Sequence, residues 1–166
     1  MRIGFMRKKI LVVEDNTKLL ELLGLNLKAA GFAVATATNG IEALKKAHSM
    51  SPDLVLLDLV LPELDGFAVC ETLRKGPATA SIPIIVLTGL TGDAAQSACS
   101  EAGACDFVAK PVNPKHLVAR IKDLLRQPRG LSSEQRGEKG KLPETPARTP
   151  ARKAERGPAL MVERRP

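Results

Sequence analysis

Five residues whose side chains can do chemistry fall just after short apolar runs. Glu14 and Asp15 follow Ile10-Leu11-Val12-Val13, Asp58 follows Leu54-Val55-Leu56-Leu57, Thr88 follows Pro83 to Leu87, and Lys110 follows Asp106 to Ala109. Three carboxylates brought together repel one another and need a cation. An all-oxygen acidic site suits Mg²⁺, which takes one or two carboxylates and completes its octahedron with carbonyls and water. A carboxylate beside Mg²⁺ and a lysine is a nucleophile toward a phosphoryl group. Metal and ammonium would neutralise the transferring oxygens, and a threonine hydroxyl would donate to one of them.

That chemistry requires a scaffold bringing the ends of these runs together. Apolar runs of four to six residues alternate with stretches of helical periodicity. Leu19, Leu22, Leu23, Leu27 and Ala30 mark a first helix closed by Gly31, and Phe32 to Thr38 reads as a second strand. Asn39-Gly40 turns into a helix carrying Ile41, Leu44 and Ala47. A third strand runs from Asp53 to Asp58, and a helix with Phe67, Cys70 and Leu73 on one face follows the Pro62–Gly66 turn. After the fourth strand come an Ala-rich helix over about Asp93 to Ala102, a short strand, and a last helix capped at Asn113-Pro114 with Leu117, Ile121, Leu124 and Leu125 inward. Continuous apolar strands are buried on both faces, so the expectation is an α/β fold: a five-stranded parallel sheet, doubly wound by helices. Ligands of such sheets gather at the carboxyl ends of the strands, where the five reactive residues fall.

Composition sets the limits. The 166 residues contain no Trp or Tyr and four Phe, so Leu, Ile, Val and Ala must build the core. Cys70, Cys99 and Cys105 form no C-x-x-C pair and read as buried or half-buried free thiols, not as a disulfide or metal set. No stretch reaches the roughly 18 apolar residues that span a bilayer, and no signal-peptide pattern is seen. A soluble, cytoplasmic protein without membrane insertion is expected. Of the net charge of +7, residues 127–166 hold +5, with 10 basic and 5 acidic residues. That segment also has 6 of the 12 prolines and no aromatic residue. It reads as a basic, Pro/Gly-rich disordered tail, with the domain spanning residues 1–126.

Four segments carry a resemblance: Ile10 to Asn16, Leu57 to Gly66, Val86 to Gly89 and Asp106 to Pro111, in order and at matching separation. Together they resemble the receiver domains of response regulators in two-component signalling. The resemblance implies a flavodoxin-like (βα)5 fold with strand order 2-1-3-4-5. It implies that Asp58 accepts a phosphoryl group from a histidine kinase or phosphotransfer protein in a Mg²⁺-dependent reaction. Asp15, Asp58 and the Val60 carbonyl would ligate Mg²⁺, with Glu14 acting through water. Thr88 and Lys110 would bind the phosphoryl oxygens, and Gly89 would leave room for them. Lys110-Pro111 resembles the family's cis-peptide site. Thr88 and Phe107 would form the switch, with Phe107 in place of the commoner Tyr. The output surface would comprise the fourth helix, fifth strand and fifth helix. Val60 and Leu90 stand where faster family members often place polar groups, which implies a longer-lived phosphorylated state.

On this reading the chain is a signalling switch rather than a metabolic enzyme, at most taking phosphoryl groups from small donors and dephosphorylating itself. Nothing after Arg126 resembles a DNA-binding output domain, so an unnamed downstream protein is the expected target, with a phosphorelay intermediate as the alternative. Nucleic acid finds no purchase on the domain, although the tail's cations could give weak, sequence-blind contacts. A dehalogenase-type phosphatase would need an acid/base Asp two residues after the nucleophile, where Val60 stands. Flavin binding is opposed by the acidic strand ends.

Overall fold

A computed structural model describes residues 6–90 and 92–127; the tail from 128 onward lies outside the described residues. Five strands and five helices alternate: β1 Lys9–Val13, α1 Thr17–Ala29, β2 Ala33–Ala37, α2 Gly40–Met50, β3 Leu54–Asp58, α3 Gly66–Lys75, β4 Ile84–Thr88, α4 Asp93–Glu101, β5 Asp106–Ala109 and α5 Pro114–Arg126. All strands pair in parallel, in the order β2-β1-β3-β4-β5. This is the flavodoxin-like order. After β2 the chain crosses back over β1 to lay down β3, and the reversal opens a crevice at the carboxyl ends of β1 and β3.

Alternation along the central strands decides which helices lie on which face. Ile10, Val12, Leu54, Leu56, Ile85 and Leu87 pack with Leu20, Leu23 and Leu27 of α1 and with Leu117 and Ile121 of α5. Leu11, Val13, Val55, Leu57, Ile84 and Val86 point the other way, onto Ala43 and Ala47 of α2, Val69, Cys70 and Leu73 of α3, and Cys99 of α4. Residues 10–13, 54–57 and 84–87 are all fully buried, and each such side chain contributes about 1.5–3 kcal/mol of transfer free energy.

Short polar side chains start four of the five helices. Asn16 accepts from the amides of Lys18 and Leu19, Asn39 from Glu42, Asp65 from Ala68, and Asn113 from Lys115 and His116. Each cap stabilises its helix by about 1 kcal/mol. Gly92 starts α4 with no side-chain cap. Gly31 ends the first helix region at φ +95°, a conformation that costs glycine little.

Leu22, part of the helical repeat that reads as core, is 46% exposed, and Ile41, carried on the second helix, is 45% exposed. The stripe α1 buries is Leu20, Leu23, Gly24 and Leu27, a cleaner i, i+3, i+4, i+7 set that leaves Leu22 and Leu25 outside. In α2 the small Ala43 and Ala47 face the core and permit close approach to the sheet. Leu124 and Leu125 are half-buried at the end of α5. Among the described residues no helix is long and apolar enough to cross a membrane.

Candidate functional site

Backbone hydrogen bonds continue the strand ladders into the loops and so fix the reactive residues. The Glu14 amide donates to the Ala37 carbonyl (3.1 Å), the Leu59 amide to Leu87 (3.4 Å), and the Lys110 amide to Thr88 (2.8 Å). Glu14, Asp15, Asp58, Thr88 and Lys110 consequently lie at the same edge of the sheet, the one the sequence pattern assigned them.

Carboxylate oxygens of Glu14, Asp15 and Asp58 all lie within 4.8 Å of one another. Glu14 and Asp58 are buried, at 1% and 4% exposure, whereas Asp15 is open to solvent. Lys110 Nζ donates to Glu14 Oε2 and to Asp58 Oδ2, each at 2.9 Å. The other oxygens are also held: Asp58 Oδ1 accepts from the Val60 amide (3.1 Å), and Glu14 Oε1 from the Asn16 amide (3.1 Å). Burial pushes the Glu14 carboxyl above its usual range, more strongly than the bonds from Lys110 and Asn16 lower it, and the Asp58 charge adds to the rise. Burial of Lys110 opposes its charge, but its bonds to Glu14 and Asp58 outweigh this and raise its pKa. The set is all oxygen, acidic and open on the Asp15 side, which fits a hard divalent cation such as Mg²⁺.

Thr88 is 1% exposed, and its Oγ1 accepts from the Leu90 amide at 3.0 Å. A Cβ placed on Gly89 would meet nothing within 4 Å, so there is open space beside Thr88. Val60 and Leu90 are 79% and 54% exposed, leaving two apolar side chains at the rim. Phe107 sits in β5 opposite Val86, half-buried against the core on the α2-α3-α4 face. The Lys110-Pro111 peptide bond is cis.

Sequence reasoning passed over three supports of this site. Asn16 caps α1, and its amide also fixes Glu14. Leu90 was read for its side chain, yet its amide holds the Thr88 hydroxyl. Gly66 was read as a turn residue, but a Cβ there would collide with the Asp58 carbonyl and lie 2.6 Å from Leu59 Cα. The only signal for the last was the glycine closing the turn after Asp58. Asp53 and Asp65 serve structure: Asp53 accepts from the Lys9 amide (2.8 Å), and Asp65 caps α3. The three cysteines are free, Cys70 and Cys99 buried and Cys105 half-buried, as their spacing suggested.

Residues 10–122 match the family model of the response regulator receiver domain. Over 122 residues the chain is 43% identical to the alkaline phosphatase synthesis transcriptional regulatory protein PhoP of Bacillus subtilis, covering 74% of this chain and 50% of that protein. It is likewise 43% identical over 122 residues to the DNA-binding response regulator MtrA of Mycobacterium tuberculosis, covering 74% and 52%. Among solved structures, it resembles the receiver domain of the sensor histidine kinase PA1611 from Pseudomonas aeruginosa, which has a magnesium ion coordinated in its active site cleft. That likeness has a TM-score of 0.67 and 31% identity, over 73% of this chain and 99% of the other. The chain belongs to the response regulator receiver family and carries a receiver domain of two-component signalling. It spans about half the length of the curated relatives it matches.

Proposed function

We propose that Asp58 is the phosphoacceptor of this receiver, taking a phosphoryl group from a histidine kinase or phosphotransfer protein with Mg²⁺ bound at Glu14, Asp15 and Asp58. The observation that carries the reading is the setting of the Asp58 carboxylate. It is buried at the carboxyl end of a central strand, held by the Val60 amide and Lys110, and adjoins two further carboxylates. Mg²⁺, when bound, would neutralise charge on the phosphoryl oxygens. The chain supplies the rest. A carboxylate oxygen of Asp58 forms the bond to phosphorus as the donor's bond breaks. Lys110 offers a mobile ammonium to a phosphoryl oxygen, Thr88 a hydroxyl donor, and the space at Gly89 accommodates the group. The Val60 carbonyl would join Asp15 and Asp58 in holding the metal, with Glu14 acting through water. Phe107 turns inward as Thr88 moves, altering the surface of α4, β5 and α5 for a downstream partner. The chain's relatives are signalling proteins, and a cytoplasmic setting follows from that role.

The test is to incubate the full chain with acetyl phosphate and Mg²⁺ and measure its intact mass. A phosphoryl-sized gain should appear in the parent and vanish in Asp58→Asn or when Mg²⁺ is chelated. A gain of equal size in Asp58→Asn would place the acceptor elsewhere. No gain from acetyl phosphate or from any phosphorylated histidine donor would overturn the reading.

A further inference from the structure

The first helix leaves part of its apolar surface uncovered. Leu22 and Leu25, one turn apart on α1, are 46% and 61% exposed. Beside them, α1 and the turn between β5 and α5 enclose a groove of about 420 Å³. Leu19, Leu22, Pro111 and Val112 line it together with Lys18 and Lys110. Lys110 is committed to Glu14 and Asp58, whereas among the described residues Lys18 Nζ has no ion-pair partner. The groove therefore offers apolar walls and one uncompensated ammonium.

The chain carries a segment of matching character. Of residues 127–166, 10 are basic and 5 acidic, and apolar residues stand singly except at Ala159-Leu160-Met161-Val162. Glu163 follows at once, then Arg164 and Arg165. An extended chain advances about 3.3 Å per residue and a helix about 1.5 Å. With Glu163 at Lys18, Leu160 falls about 10 Å away, which is also the distance from Lys18 to Leu25 along α1. Met161 and Val162 then lie over Leu19, Leu22 and Val112. The same direction carries Arg164 and Arg165 toward Asp15, the open carboxylate of a site with three carboxylates against one ammonium. Length permits the arrangement. Val112 precedes α5 and Arg126 ends it, so the domain releases the chain about 20 Å from the groove. A flexible chain of roughly thirty residues, the number in 127–158, spans about 30 Å root-mean-square. The effective concentration of the segment at the groove is then about millimolar, and weak contacts suffice.

We propose that the groove between α1 and the β5–α5 turn is a docking site for the chain's own segment 159–162, with Glu163 paired to Lys18. The apolar run leaves water by covering Leu22 and Leu25, which the domain itself leaves bare. Any protein that uses the outer face of α1 must first displace it.

The experiment uses the full chain, with carbodiimide cross-linking of amines to carboxylates mapped by mass, and amide hydrogen exchange. A Lys18–Glu163 link should form within one chain. Its yield should exceed by at least about tenfold those from Lys18 to Glu134, Glu138, Glu144 and Glu155, which share the arm but not the apolar run. The amides of residues 160–163 should exchange at least about threefold more slowly than the intrinsic rate of their sequence. Leu22→Gln in the groove should abolish both effects, and so should Leu160→Gln, which leaves the described domain untouched. Equal yields from all five glutamates, or exchange at 160–163 that Leu160→Gln does not change, would overturn the proposal. In a mixture of isotopically light and heavy chains, a Lys18–Glu163 link joining light to heavy would overturn it as well, because the occupant would then be a second copy.

Discussion

Replacing Lys110 by Met should produce a stability loss that Mg²⁺ partly repairs. The ammonium sits 2.9 Å from one oxygen of Glu14 and 2.9 Å from one of Asp58, whose side chains are 1% and 6% exposed. Removing one partner of a buried ion pair costs roughly 3–5 kcal/mol, because the other charge is stranded. Lys110 is itself 27% exposed, so water relieves part of that. A loss of about 2–3 kcal/mol in chelator is the discounted value. Methionine keeps the stem and its packing, so the loss reports on charge. On the proposed metal site, the ammonium and the dication share the same carboxylates, and losing the ammonium should tighten Mg²⁺ binding. A tenfold gain corresponds to about 1.4 kcal/mol. Binding to the folded state alone converts that gain into stability. Urea unfolding of parent and variant, each in chelator and in excess Mg²⁺, should show the gap shrinking by about 1.4 kcal/mol in the metal. A gap that stays constant or widens would refute shared occupancy of the site.

Replacing Val60 by Asn together with Leu90 by Glu puts polar groups where two exposed apolar side chains now flank Asp58 and Thr88. The phosphorylated form should then lose its phosphoryl group at least about tenfold faster, toward the low end for positioned acid–base groups, as followed by loss of the mass adduct. Gly66→Ala forces a Cβ against the Asp58 carbonyl, so urea unfolding should show about 1–3 kcal/mol of destabilisation, with slower phosphorylation. Glu42 should contribute to stability at neutral pH, because bonds from Lys46 (2.7 Å) and the Thr38 amide (2.9 Å) hold its carboxyl below 4.5. Its contribution is present above pH 4.5 and lost as pH falls through the lower folded value. Being partly exposed, it should amount to no more than about 1 kcal/mol, read as a difference from Glu42→Gln that is present at pH 7 and disappears once the pH is below the folded value. Thr88→Val should still allow phosphorylation of Asp58 but abolish any phosphorylation-linked change in α4 exchange; a change as large as the parent's would remove Thr88 from the switch.

Legibility in the sequence followed the physical range of each interaction. Strands buried on both faces announce themselves as unbroken apolar runs, and a polar residue ending such a run is visible for the same reason, so Asp58 and Thr88 could be placed at one sheet edge. The α1 stripe was harder because leucine occupies too many positions. With Leu at 19, 20, 22, 23, 25 and 27, overlapping helical faces compete, and packing on the sheet decides between them. Contacts made by the backbone left no trace in residue type. The Leu90 amide on Thr88, the Asn16 amide on Glu14 and the fit of Gly66 against Asp58 depend on loop path. Arg74 reads as an ordinary cation near a helix end, and its hold on Gly103 spans 29 residues.

Charge and hydrogen bonding at the site also suggest why Thr88 should move. Glu14, Asp15 and Asp58 against Lys110 leave two negative charges in formal excess, which a dication would cancel. On the proposed reading, phosphorylation turns the single charge of Asp58 into a group of nearly two, so an excess returns at a point beyond the carboxylate. Lys110, already at the end of a flexible stem, can follow the new charge by leaving Glu14 or Asp58. Thr88 has a different constraint. One lone pair of its hydroxyl accepts the Leu90 amide, so the proton is the part it can offer to a phosphoryl oxygen. On the proposed reading, bringing that hydroxyl within reach of a phosphoryl oxygen takes a rotation of the side chain about Cα–Cβ, which would move the oxygen on which the Leu90 amide rests. Leu90 lies two residues before Gly92, where α4 begins without a side-chain cap, and α4 is held in the core by Cys99. On that reading a small displacement of the Thr88 hydroxyl would be applied to a helix that buries, among its described side chains, Cys99 alone, and a bond of roughly 1 kcal/mol would suffice to bias its position.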